Sequence, residues 1–105
     1  MVYKKIKEYK DYLIRFTIPK KGFKKYKAEV FNLNGERIAT AQFGDRRGYS
    51  QYKDRIGYYS DLDHNDKKRL QRYRKRHEAI LTNDGVPAYK VEFSPAWFSY
   101  RWLWS

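Results

Sequence analysis

The stretch YKAEVFNLNGERIATAQF constrains the fold of this chain more than any other part of it. Asn34-Gly35 stands between two alternating runs, and such a pair is the strongest local hairpin signal, because a type I′ turn needs positive φ at both central residues. Before it, Tyr26, Ala28 and Val30 alternate with Lys25, Lys27 and Glu29; after it, residues 37–43 supply the returning strand. Further upstream, Tyr12, Ile14, Phe16 and Ile18 alternate with Leu13, Arg15 and Thr17, which gives a strand with one buried face. Pro19-Lys20-Lys21-Gly22 ends it. The first half therefore predicts a three-stranded antiparallel meander, to which residues 2–10 add a further edge.

Periodicity disappears over residues 44–65, where Gly44, Gly48 and Gly57 punctuate the chain. A loop of that length is expected to carry a binding surface or additional pairing. Asn65 or Asp63 then caps a helix over residues 66 to about 80, with Asp66 in its first turn opposing the positive end of the helix dipole. At 3.6 residues per turn, Leu70, Tyr73, His77 and Ile80 or Leu81 share a narrow apolar stripe, and Lys and Arg cover the rest. Turn residues fill 82–87, after which Tyr89, Val91 and Phe93 alternate with Ala88, Lys90 and Glu92 and predict a short fourth strand. Ser94 as N-cap and Pro95 at the first helical position open a last helix, SPAWFSYRWLWS, which holds all three tryptophans. Residues 1–105 thus read as a single small basic α+β domain. It combines an antiparallel sheet of three or more strands, a basic amphipathic helix and a short aromatic C-terminal helix.

Composition limits what such a domain can do. A formal charge of +12 on 105 residues, with a pI near 9.9, destabilises a compact state by self-repulsion unless something anionic screens it. Nucleic acid meets that need, because Lys and Arg displace counterions from phosphates and tyrosines offer stacking planes to bases. Mean hydropathy is only −1.02, yet 19% of the residues are aromatic, which is not the composition of a disordered chain. With no cysteine, disulfide frameworks and thiolate metal sites are excluded. No apolar run reaches the roughly 20 residues of a membrane span, and no signal-peptide core follows Lys4-Lys5-Ile6-Lys7. The expectation is a soluble intracellular protein with no cofactor.

Four groups of residues carry candidate chemistry. Lys68, Arg69, Arg72, Lys75 and Arg76 on the basic helix are placed to meet phosphates or an acidic partner. Arg46 and Arg47, in the glycine-rich FGDRRGYSQY, are candidates for an anion cradle. Of the closing aromatics, Trp97, Tyr100 and Trp104 read as core, while Phe98 and Trp102 with Arg101 read as a partner interface, where aromatics and Arg are enriched. Asp61, Asp63, His64 and Asp66 in DLDHND have the residue types of a Mg²⁺-dependent nuclease but equally those of a helix-entry turn. His77, on the apolar stripe, reads as a hydrogen-bonded core residue.

The order of these pieces resembles a known family. Phe43-Gly44 closing a hairpin, Gly48-Tyr49-Ser50 with Tyr52 after it, a helix carrying Asp66, Arg69, Tyr73 and Arg76-His77, and a tail of Ser99, Arg101, Trp102, Leu103 and Trp104 resemble small basic proteins encoded by large double-stranded DNA viruses of eukaryotes. The resemblance covers residues 23–104. It departs at Gln51, which stands where the family has an acidic residue, and at KDRIGYYS, an insertion before the helix. It implies no activity. What it implies is a non-enzymatic structural or accessory component of a virus particle, a minor capsid or internal virion protein. Such a component would contact larger capsid or virion proteins and double-stranded DNA or other nucleic acid, in the virion or in the cytoplasm or nucleus of the infected cell. The composition alone supports a sequence-independent nucleic-acid-binding module, and DLDHND supplies a third expectation, a metal-dependent nuclease.

Overall fold

The alternating runs form one antiparallel sheet in the order β1-β2-β3-β4, made of β1 (Lys4–Tyr9), β2 (Tyr12–Thr17), β3 (Tyr26–Phe31) and β4 (Arg37–Phe43). With α1 (Lys67–Glu78) and α2 (Pro95–Trp102) they make the small α+β fold that the sequence predicts. The computed structural model describes residues 3–47 and 49–105; Val2 of the expected edge and Gly48 of the expected loop lie outside the described residues. The chain divides into two compact units, Met1–Arg47 and Gly48–Ser105.

In the first unit, register decides the faces. Phe16 pairs with Ala28 and Ala28 with Ala41, Ile14 pairs with Val30, and Tyr26 pairs with Phe43. Side chains alternate across a strand, so these residues share one face, and all of them are buried. Phe16 sets its ring edge-on to Tyr26 and Phe43, with centroids 6.2 and 6.1 Å apart. The other face carries a polar pairing: Arg15 Nε and Nη2 donate to Glu29 Oε1 at 3.2 and 3.0 Å, and Arg37 Nη1 donates to Oε2 at 3.1 Å. Burial pushes the Glu29 carboxyl up, but the hydrogen bonds from Arg37 and Arg15 outweigh it and hold the group below the usual carboxylate range. At the sheet edge, β1 exposes Lys4 and Lys5, charges that discourage pairing with another sheet.

The hairpin at Asn34-Gly35 forms with a different turn from the expected type I′. Gly35 N–H donates to Asn32 O at 3.0 Å and Asn32 N–H to Glu36 O at 2.9 Å, so three residues make the loop, and Gly35 alone among them has positive φ, +80°. Asn32 causes the change. Its Oδ1 accepts from the N–H groups of Asn34 and Glu36 at 3.0 and 2.9 Å, a side-chain closure that stabilises the wider loop. A register shift follows between Val30 and Phe31, and Ile38, passed over by the pairing, is exposed. The second unit uses the same turn again. Thr82 N–H donates to Val86 O, Gly85 N–H to Thr82 O, and Val86 N–H to Thr82 Oγ1, with Gly85 at φ +79°.

Between the sheet and α1 the chain is ordered by side chains bonding to backbone. Gln51, buried, donates through Nε2 to Tyr59 O at 2.9 Å and to Asp63 Oδ1, which also accepts from Asp54 N–H at 2.8 Å. Asp54 in turn accepts from Ile56 N–H through Oδ1 and from Tyr59 N–H through Oδ2. Lys53 and Arg55 N–H donate to Leu103 O and Trp102 O, so this segment pairs with the end of the chain.

Asp66 caps α1, in place of the expected Asn65 or Asp63. Its carboxylate accepts from Lys68 and Arg69 N–H, whereas Asp63 is taken by Gln51 and Asp54 and Asn65 is left-handed at φ +54°. Leu70, Tyr73 and His77 are half-buried as the stripe predicts, but Ile80 and Leu81 lie beyond the helix and are exposed.

The fourth strand expected at 88–93 does not form. Ala88–Lys90 is a single 3-10 turn, and Phe93 takes φ +67°. The cause is the start of α2: Ser94 Oγ accepts from Trp97 N–H at 3.1 Å, and Phe93, one residue earlier, packs on Trp97 and Phe98 with centroids 5.3 and 6.3 Å away. This is a hydrophobic staple. A left-handed aromatic residue costs about 1–3 kcal/mol, which the staple and cap offset.

Candidate functional site

Helical geometry sorts the side chains of α1 into three strips. Leu70, Tyr73 and His77 form the inner one. On one flank, Arg74 and Glu78 meet α2: the Tyr100 hydroxyl donates to Glu78 Oε2, and the Arg74 guanidinium stands 4.7 Å from the Tyr100 ring while its Nε donates to Trp104 O at 2.8 Å. On the opposite flank, Arg69, Arg72 and Arg76 follow one another at spacings of three and four residues.

That opposite flank lines a pocket of about 370 Å³ with Lys75 and the Trp104 ring. Trp104 is held flat against Tyr73, centroids 3.9 Å apart and planes 7° from parallel. Burial pushes the Tyr73 hydroxyl up to about 12, so it stays neutral and brings no negative charge here. No carboxylate lines the pocket, and Lys68, Arg69, Arg72, Lys75 and Arg76 form no ion pair with any described residue. Arg69 Nη2 donates to Ser50 Oγ at 3.2 Å, which orients one guanidinium. Four cations converging beside an indole, with no carboxylate in the lining, are suited to an anion whose charge is spread over several oxygens.

A second cavity, of about 660 Å³, lies in the same unit on the Arg74 flank. Arg55, Arg74, Lys90 and Arg101 supply its charge. Tyr89, Trp97, Tyr100 and Trp102 supply ring surface, with Tyr89 tilted on Tyr100 at 4.7 Å and Arg101 5.6 Å from the Trp97 ring. Burial and the hydrogen bond to Glu78 push the Tyr100 hydroxyl up to about 12.

The structure thus gathers the basic residues expected on the helix, Lys68 standing exposed beside the rest. It also brings Arg101 and Trp102 together, as lining of the larger cavity. Three other expectations are corrected. Phe98 is fully buried, so it cannot serve a partner surface; it is the residue that receives the Phe93 staple. Arg46 is no open anion cradle, because its Nε and Nη2 donate to Gly22 O and its Nη1 to Pro19 O. Arg47 is paired through Nε and Nη2 with Asp45, and the Phe23 ring lies 4.4 Å from its guanidinium. The arginine pair closes its own loop.

The acids of DLDHND go separate ways. Asp63 accepts from Gln51 and Asp54, Asp66 caps α1, and Asp61 is exposed in the 3-10 turn Ser60–Leu62. Among the described residues no group of three His, Cys, Asp or Glu side chains is arranged to hold a metal ion. His64 Nδ1 accepts from Asp66 N–H at 2.9 Å, while His64 Nε2 and His77 Nε2 are buried without a hydrogen-bond partner among the described residues. His77 therefore lacks the bond expected of it there. Burial holds both imidazoles below their usual pKa, and for His64 the Arg69 charge adds to the effect.

Sequence reasoning missed Arg55, Tyr89 and Lys90, and it treated Arg74 as one more surface cation. The larger cavity draws on four separate segments, so no local spacing announces it. The one usable signal was the position of Arg74, the basic residue on the flank of the stripe away from Arg69, Arg72 and Arg76.

This is a small basic α+β protein in which, among the described residues, a cationic pocket lies on each flank of one helix. Comparison with protein families, with curated proteins and with solved structures finds no match for the chain. Among the described residues no helix is long and apolar enough to cross a membrane.

Proposed function

We propose that this protein is a non-enzymatic nucleic-acid-binding module that holds the phosphate backbone through α1 without reading sequence. The observation that carries the reading is the pocket of Arg69, Arg72, Lys75, Arg76 and Trp104, four cations with no carboxylate in the lining and no ion pair to a described residue. Contacts of this kind recognise charge and spacing, which every sequence shares. The test is binding to a duplex of about three helical turns across a salt series. Each phosphate neutralised steepens the fall of log K with log salt by about 0.9, so four contacts give a slope near −3.6. Replacing Arg69, Arg72 and Arg76 together by Glu is expected to abolish binding while the circular dichroism of the fold is retained. A flat salt dependence, or a triple variant that still binds, overturns the reading.

The resemblance of residues 23–104 to proteins of large DNA viruses favours a second reading of the same surfaces. In a particle, α1 would face packaged DNA, and Arg101 and Trp102 would face a larger capsid or virion protein. Such a component co-purifies with particles and resists extraction at high salt, whereas a free module is washed out.

A further inference from the structure

The larger cavity is chemically unlike the smaller one, and the difference points to a more specific ligand. A bare phosphate needs cations and has no use for rings. Here four rings and four cations share one cleft, and its volume lies in the range that encloses small organic ligands. The cations are already positioned. Arg74 is anchored through Nε to Trp104 O and backed by the Tyr100 ring, and Arg55 is anchored through Nε and Nη2 to Ser105 O at 3.2 and 2.6 Å. Anchored in this way, Arg74 keeps both terminal Nη groups, and Arg55 one, without a hydrogen bond to any described residue. Lys90, exposed at the rim, stands over Tyr89 at 5.8 Å and forms no ion pair with a described residue. A ligand that satisfies the whole cleft is flat, aromatic and anionic.

We propose that this cleft takes one unpaired nucleotide of a nucleic acid strand, its base against the aromatic wall that includes Trp102 and its phosphate on Arg74, Arg55 and Lys90. The proposal rests on the nucleic-acid reading above and sharpens it. Paired bases in a duplex present no free face, so the cleft selects single-stranded segments or ends, while the opposite flank of α1 follows the backbone of either form. Base-on-ring stacking is tolerant of sequence because every base has a π face. The site therefore adds strand-type preference without base specificity.

The test uses the full chain and tryptophan fluorescence, since Trp97 and Trp102 line the cleft. Adenosine monophosphate and a six-residue oligothymidylate are titrated against inorganic phosphate at equal ionic strength. Saturable quenching by the nucleotides, at least tenfold tighter than any effect of phosphate, is the expected result. Trp102→Ala is expected to weaken it tenfold or more, and the exposed Lys90→Glu, which leaves the fold intact, is expected to do the same if Trp102→Ala does not fold. The Arg69/Arg72/Arg76 triple reversal separates this inference from the reading it rests on, since it should lose duplex binding yet keep nucleotide quenching. Duplex binding with no nucleotide quenching overturns the cleft alone. Failure to bind either form overturns both, and equal response to phosphate and nucleotide overturns the stacking role of the rings.

Discussion

A single buried amide decides how the segment before α1 is held. Gln51 Nε2 donates to Asp63 Oδ1, and an acid at position 51 would set two carboxylates against each other. Gln51→Glu is therefore expected to destabilise the protein by about 3 kcal/mol at neutral pH, the usual scale for an uncompensated buried charge. Like charges sharing a site raise a carboxyl pKa, and a group raised in the folded state costs stability above that pKa and restores it on protonation. Urea unfolding at pH 7.5 and 5.5 should show the variant regaining stability on acidification; a variant that parallels the wild type would separate residue 51 from Asp63. The wild type should move the other way. His64 and His77 are held below the ordinary value of 6.5 by burial, so below that pH the unfolded chain binds more protons than the folded one. Stability that is complete above pH 6.5 is thus lost as pH falls below it toward the folded-state values. His77→Phe, which keeps a ring against Tyr73 at the same place, is expected to flatten that decline in part, with His64 retaining the rest.

Elements whose cause is local were legible in the sequence, and those assembled by distant side chains were not. β2, β3 and β4 follow from alternation within six or seven residues, and α2 follows from Ser94 and Pro95, whose effect is spent within one turn. α1 was readable from its stripe, but its cap was placed one or three residues too early, at Asn65 or Asp63, because Asp63, Asn65 and Asp66 are equivalent until Gln51 and Asp54 claim Asp63. Alternation over 88–93 misled because a six-residue pattern is also met by a 3-10 turn followed by a staple, and the capping of α2 decided between them. The Asn34-Gly35 hairpin was right in kind and wrong in turn, since the deciding acceptor, Asn32 Oδ1, lies outside the dipeptide. The candidate site divides in the same way. Its basic flank lies on one helix and could be read from spacing, whereas the larger cleft needs Arg55, Arg74, Lys90 and Arg101 from four segments.

Net charge acts on the whole molecule and links stability to binding. A formal +12 on 105 residues repels itself, and at about 10 mM salt the screening length of roughly 30 Å is comparable with the size of such a chain, while at 150 mM it is about 8 Å. Added salt is therefore expected to raise the melting temperature over this range and, over the same range, to weaken duplex binding. The Arg69/Arg72/Arg76 reversal tests whether one set of charges does both. Each reversal removes two units, so the three bring +12 down to +6, and a repulsion that scales with the square of charge falls to about a quarter. These arginines form no ion pair with a described residue, and the loss on reversal is confined to the Arg69 hydrogen bond to Ser50 and its attraction to Asp66, which is small beside that gain. The variant should melt at a higher temperature than the wild type at 10 mM salt, respond less to added salt, and no longer be stabilised by duplex, which raises the wild-type transition through preferential binding to the folded state. A variant that melts lower at 10 mM salt would mean that these arginines hold the fold together, and the flank of α1 would then be structure and not a binding surface.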